Sequence, residues 1–89
     1  MIIDNEFEIV NEMGMHARPS ASFVKLANKF KSDITVEHND FSVNGKSILG
    51  LLTLAAERGS KLKLIANGTD AKIAIKKLGN LISSGFNEK

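Results

Sequence analysis

Gly14-Met15-His16-Ala17-Arg18-Pro19-Ser20 contains one of the chain's two histidines and its only proline, directly ahead of a helical pattern. Proline fits the first turn of a helix, where its missing N–H would have had no partner. Gly14 allows a sharp change of direction, so the stretch reads as strand, turn, helix, with His16 at or beside the N-cap. An imidazole there meets unpaired backbone N–H groups and the positive end of the helix dipole. That corner suits an anion, and Arg18 adds a planar cation that prefers phosphate or carboxylate. A nucleophilic nitrogen over an anion cradle points to phosphorylation on histidine. A lone histidine at a helix start can also be a plain capping residue. The grouping of Gly14, His16, Arg18 and Pro19 favours the anion site, because each member has a separate job in it.

Outward from this corner, two periodicities take turns. Across residues 2–10, Phe7 and Ile9 point one way and Glu6 and Glu8 the other, which predicts a half-buried strand. Asn11-Glu12-Met13-Gly14 turns the chain. Ser20, Phe23, Ala27 and Phe30 then recur at three- and four-residue steps, with Lys25 and Lys29 on another face. That spacing predicts an amphipathic helix from His16 or Ala17 to about Asn28. Ile34 and Val36 alternate with Thr35 and Glu37, His38-Asn39-Asp40 is a polar tight turn, and Phe41-Ser42-Val43 resumes the alternation as a hairpin. Asn44-Gly45-Lys46-Ser47 breaks the strand, and Ser47 suits the N-cap of the apolar run that follows, residues 48–55. So many apolar residues cannot share one buried stripe, so some must form an exposed patch of the kind that marks a partner surface.

After the turn at Arg58-Gly59-Ser60, Leu62, Leu64 and Ala66 alternate with Lys61, Lys63 and Ile65 in a fourth strand. Asn67-Gly68-Thr69-Asp70 supplies a turn and a cap. Ala71, Ile75, Leu78, Leu81 and Ile82 form the apolar stripe of a last helix that stops near Gly85. The order βαββαβα predicts an α+β, two-layer open-faced sandwich, with helices on the apolar side of an antiparallel sheet and water on the other.

Eighty-nine residues make one domain, 1–89, large enough for a single core without staples. Cysteine is absent, which leaves neither disulfides nor thiolate metal sites and fits a reducing cytoplasm. The start carries early acids and no long apolar run, so no secretory signal is expected, nor any membrane insertion. A formal charge of +2, dispersed lysines, and the absence of Tyr and Trp argue against nucleic-acid binding. His38 lies in a polar turn with no second histidine or acidic cluster at ligand spacing, so no metal site is expected.

Gly14-Met15-His16-Ala17-Arg18-Pro19 resembles the active-centre signature of the HPr family, the histidine-containing phosphocarriers of the bacterial phosphotransferase system. The match of elements spans essentially the whole chain. The resemblance implies a four-stranded antiparallel sheet in the order 1-4-2-3, covered on one face by three helices. It implies a cytoplasmic, monomeric carrier that accepts a phosphoryl group from enzyme I, charged by phosphoenolpyruvate, and passes it to IIA domains of sugar permeases. Such a protein is a stoichiometric carrier rather than an enzyme, and no cofactor is implied. His16 is then the phosphoryl acceptor, through its δ1 nitrogen, with the Ala17 and Arg18 amides and the Arg18 guanidinium on the phosphate. Partners would dock on His16, Arg18, Ile48, Leu49 and Leu52.

Asn44-Gly45-Lys46-Ser47-Ile48-Leu49-Gly50 resembles the segment in which many members of the family are phosphorylated on serine by an ATP-dependent kinase. Ser47 is the matching residue, a regulatory site with a kinase and phosphatase as further partners; its other reading is an ordinary N-cap. Asn11 either orients the site or simply turns the chain. Ser20 stands where the family commonly has alanine; small and one turn inside the helix, it is expected to face the sheet. A regulatory paralogue without sugar transport, in a nitrogen-type phosphorelay or as a kinase-sensed signal, fits the same scaffold. Two readings from other classes make different predictions: an RNA-binding domain would bind with salt dependence, and an acyl-phosphate hydrolase would release free phosphate.

Overall fold

Alternating side chains build the sheet and three- and four-residue repeats build its cover. The computed structural model describes residues 1–88. The elements are β1 (Ile2–Glu8), α1 (Ala17–Ala27), β2 (Asp33–His38), β3 (Phe41–Asn44), α2 (Ile48–Leu54), β4 (Lys61–Asn67) and α3 (Ala71–Ser83). The strands lie in the order β1-β4-β2-β3, every neighbouring pair antiparallel. This is the expected open-faced α+β sandwich, with the sheet order that the resemblance implied.

Leu62, Leu64 and Ala66 of β4 and Ile34 and Val36 of β2 are buried beneath the helices. Each large aliphatic side chain placed there contributes about 1.5–3 kcal/mol. Phe7 of β1 lies under α3 at Gly79, where a Cβ would collide with the phenyl ring, so glycine is what lets the helix settle so close. Glu6 stands opposite Lys63 and Glu8 opposite Lys61 in the β1–β4 register, and Glu37 faces Lys63 across β2–β4. These paired opposite charges keep the outer face in water.

α1 buries Pro19, Ser20, Phe23, Val24 and Ala27, and α3 buries Ala71, Ala74, Ile75, Leu78, Gly79 and Ile82. Ser20 does face the interior, and its hydroxyl donates to the Met15 carbonyl at 3.2 Å. Phe30 falls beyond the end of α1 and Leu81 lies at the edge of the α3 stripe; both are half-buried. The short α2 buries only Leu51.

Three details differ from the sequence reading. β1 ends at Glu8, yet Ile9 is fully buried and exchanges hydrogen bonds with the turn before β4: its N–H donates to Ser60 O and its carbonyl accepts from Gly59 N–H, both at 2.8 Å. The hairpin turn is narrower than three residues, because His38 still pairs with Phe41. Asn39 and Asp40 take positive φ (49° and 67°), the conformation of a two-residue type I′ turn. Asp70 occupies the N-cap position of α3 without capping it. Its carboxylate instead accepts from Lys31 N–H, Ser32 N–H and the Ser32 hydroxyl. Those three donors outbid the single amide a cap would engage. The Ser32 hydroxyl first, and then the Lys31 amide, hold the Asp70 carboxyl below its ordinary pKa.

No helix among the described residues is long and apolar enough to cross a membrane.

Candidate functional site

Asn11 and Gly14 close the turn that delivers the chain to α1. The Gly14 N–H donates to the Asn11 carbonyl at 3.2 Å, and the Asn11 side-chain amide donates to the Gly14 carbonyl at 2.8 Å. Gly14 has φ +67°, which glycine adopts freely. The next amide, Met15 N–H, donates to Ala56 O just beyond α2. Asn11 is therefore the turn residue, and its side-chain amide fastens the turn that leads to His16. It is buried, and its Oδ1 has no partner among the described residues.

His16 is the N-cap of α1 in extended conformation (φ −78°, ψ −172°), and its carbonyl accepts from Ser20 N–H at 3.1 Å. Its imidazole does not cap the helix. The ring is thus left to other chemistry, beside first-turn amides that have no intrahelical acceptor. No acidic residue occupies that first turn. The positive end of the dipole, which stabilises an anion by about 0.3–2 kcal/mol, is not countered from within the helix. Ala17 and Arg18 are exposed, and among the described residues no carboxylate lies within ion-pair distance of the Arg18 guanidinium.

Glu88 completes the corner, and sequence reasoning missed it. Its Oε2 and Oε1 lie 3.1 and 3.3 Å from His16 Nε2, and Oε1 also accepts from the Asn11 side-chain amide at 3.1 Å. A tight turn at Gly85–Asn87, with positive φ at Gly85 (70°), Phe86 (57°) and Asn87 (61°), brings it there. The only local signal was Gly85, which was read as a helix stop. Asn87 is of a type that tolerates a left-handed turn, but nothing in Phe86 announces one.

The structure gathers Asn11, His16, Ala17, Arg18 and Glu88 at one corner and sets Ser47 apart from them. Lys46 Nζ donates to Phe30 O, beyond the C-terminal end of α1, while Ala56 is tied to Met15 before its N-terminal end. The two helices therefore run antiparallel, and Ser47 sits at the far end of α2. Seven residues at about 1.5 Å each separate it from the Ala56 end by roughly 10 Å. Its hydroxyl accepts from Gly50 N–H at 3.0 Å, an N-cap. Ile48, Leu49 and Leu52 are exposed (43%, 74% and 38%) along one side of α2.

A surface groove lined in part by Phe41, Val43, Leu54 and Lys61 does not reach His16. His16 stands at a corner with 36% of its side chain exposed, open to a protein surface rather than enclosed around a small molecule. His38 contacts the Lys61 carbonyl and Asn39 and joins no cluster of metal-ligating side chains among the described residues.

The family model described as "PTS HPr component phosphorylation site" matches residues 3–84. The chain is 42% identical to the phosphocarrier protein HPr of Neisseria meningitidis serogroup A, over 98% of both chains. It is 42% identical to the HPr-like protein Crh of Bacillus subtilis, over 86% of this chain and 91% of that one. Among solved structures, HPr-C-His from Thermoanaerobacter tengcongensis superposes with a TM-score of 0.94 at 46% identity, covering 98% of each chain.

Proposed function

The chain belongs to the HPr family of phosphocarrier proteins, and from that premise we propose that His16 takes a phosphoryl group from enzyme I and delivers it to IIA domains of sugar permeases. Enzyme I is itself charged by phosphoenolpyruvate. A lone pair on the ring forms the N–P bond while the bond from phosphorus to the donor breaks, its electron pair staying with the donor. By the family resemblance the attacking atom is Nδ1. The first-turn amides of Ala17 and Arg18 and the Arg18 guanidinium receive the phosphoryl oxygens. Phosphoryl transfer asks the protein for position and charge more than for covalent work. The chain acts as a single, stoichiometric carrier and turns over no small molecule.

The observation that carries this reading is His16 at the N-cap of α1, its ring not spent on capping and the first turn free of acids. The experiment is incubation with enzyme I and labelled phosphoenolpyruvate. The label should be acid-labile and base-stable, as on a histidine nitrogen, and should leave when a IIA domain is added. Label that is absent, or that appears as free phosphate, overturns the reading.

Ser47 is the second modification site of this proposal, phosphorylated by an ATP-dependent kinase and restored by a phosphatase. A phosphate there would sit beside Ile48, Leu49 and Leu52 and set a dianion on the apolar surface where partners dock. It acts on docking rather than on the His16 ring. The similarity to Crh supports a second reading, a regulatory paralogue without sugar transport. Sugar-type and nitrogen-type enzyme I and IIA domains, offered in turn, separate the two by which pair passes labelled phosphate through this chain.

A further inference from the structure

We propose that Glu88 is a positioning residue for phosphoryl transfer at His16: its carboxylate holds the proton on Nε2 and so presents Nδ1 as the nucleophile. This rests on the carrier reading. An ionised carboxylate can only accept hydrogen bonds, so a ring nitrogen 3.1 Å from Oε2 and 3.3 Å from Oε1 meets it as an N–H donor. With the proton on Nε2, the neutral ring keeps its free lone pair on Nδ1. Asn11 donates to Oε1 of the same carboxylate and is itself pinned to the Gly14 carbonyl. The orientation of the ring is thereby tied to the turn that starts α1.

The way the chain reaches this position points the same way. Phe86 is 5% exposed and left-handed (φ 57°, ψ 27°), Asn87 is left-handed as well, and Glu88 N–H donates back to Gly85 O at 3.0 Å. Phe86 holds a conformation that bulky L side chains seldom adopt, and the result is a carboxylate against His16. Glu88 keeps only 19% of its side chain exposed.

The transfer itself accounts for the use of a charge here. When Nδ1 takes the phosphoryl group and the donor keeps the electron pair of the broken bond, no proton leaves the ring. The product carries phosphorus on Nδ1 and hydrogen on Nε2, so the ring is formally positive. Glu88 faces that positive charge, and a protonated ring is also the better leaving group when the phosphoryl moves on to the acceptor.

The test uses the whole chain and two variants. Nitrogen-15 NMR is read well above the ordinary imidazole pKa of about 6.5, where a free ring is neutral. The native protein should show a slowly exchanging Nε2–H and a single tautomer. Glu88→Ala should lose that protected proton and accept phosphoryl from enzyme I about tenfold more slowly, the usual scale for losing a partner that orients a histidine. Glu88→Gln can still accept from Nε2–H, so it should restore the tautomer but not the full rate. An unprotected Nε2–H in the native protein, or an unchanged rate in Glu88→Ala, overturns the proposal. Failure of the native chain to take label at all would instead remove the carrier reading, and the NMR result is read without any partner.

Discussion

The Ala56 carbonyl stands 2.5 Å from where a Cβ on Gly14 would be. The backbone before α1 and the backbone after α2 therefore touch with no room for a side chain, and the Met15 N–H bonds that same carbonyl. Gly14→Ala must both accept φ +67° and push Ala56 away. The expected loss is about 1–3 kcal/mol, on the scale of a strained backbone position, read as a lower urea midpoint. The start of α1 shifts with it, so acceptance of label at His16 should also slow. An unchanged midpoint would contradict the close contact.

His16→Ala should end acceptance of phosphoryl from enzyme I. Its ring is partly exposed and fills no core space, so thermal stability should change by less than about 0.5 kcal/mol. Labelling that survives the substitution would move the acceptor elsewhere, His38 being the remaining histidine.

Ser47 has two separable properties. Ser47→Ala removes the cap on Gly50 and should cost about 0.5–2 kcal/mol. Ser47→Asp keeps an N-capping oxygen, so stability should be retained, while the new charge beside Ile48 and Leu49 slows acceptance at His16. If the aspartate variant is charged at the native rate, the serine has no regulatory reach.

Leu49 and Leu51 are near neighbours on α2 with opposite fates, one 74% exposed and the other fully buried. Leu49→Asp should weaken transfer with enzyme I and IIA domains and leave the unfolding midpoint in place. Leu51→Ala should lower stability by about 2–5 kcal/mol, as large-to-small core substitutions do. Equal effects of both on stability would mean that α2 does not bury the face described.

Asp70 gives the chain a sensitivity to acid. Its carboxyl is held below its ordinary value, chiefly by the Ser32 hydroxyl and next by the Lys31 amide. A lowered folded-state pKa contributes stability that is fully present above the unfolded value of about 3.9 and disappears as pH falls through the folded one. Asp70→Asn should therefore be less stable than the native chain at neutral pH, and the gap should narrow as the solution is acidified below about pH 4. A gap that stays constant across that range would assign Asp70 no linkage to protons.

Much of this was legible because it is local. The Leu62-Leu64-Ala66 alternation, the α3 stripe and the Gly-His-Arg-Pro corner each follow from residues within a few positions of one another. The parts that escaped depend on partners distant in sequence. Asp70 looked like a cap because the amides it binds, at Lys31 and Ser32, belong to a loop before β2. Glu88 gave no local signal, since 72 residues separate it from His16 and its route runs through Phe86, whose residue type does not favour positive φ. Asn11 stayed open between two roles because Glu88, which its side-chain amide also meets, lies at the other end of the chain.

The antiparallel course of α1 and α2 has a last effect. A group on the imidazole at one end and an ester on the hydroxyl at the other could not be exchanged inside one molecule, nor would either block the other sterically. A population of this carrier would then hold four species: bare, charged, tagged and both at once. Isoelectric focusing of a mixed sample should resolve the doubly labelled form as a distinct band, scarcer than the product of the two single occupancies because a phosphate at Ser47 slows docking at His16.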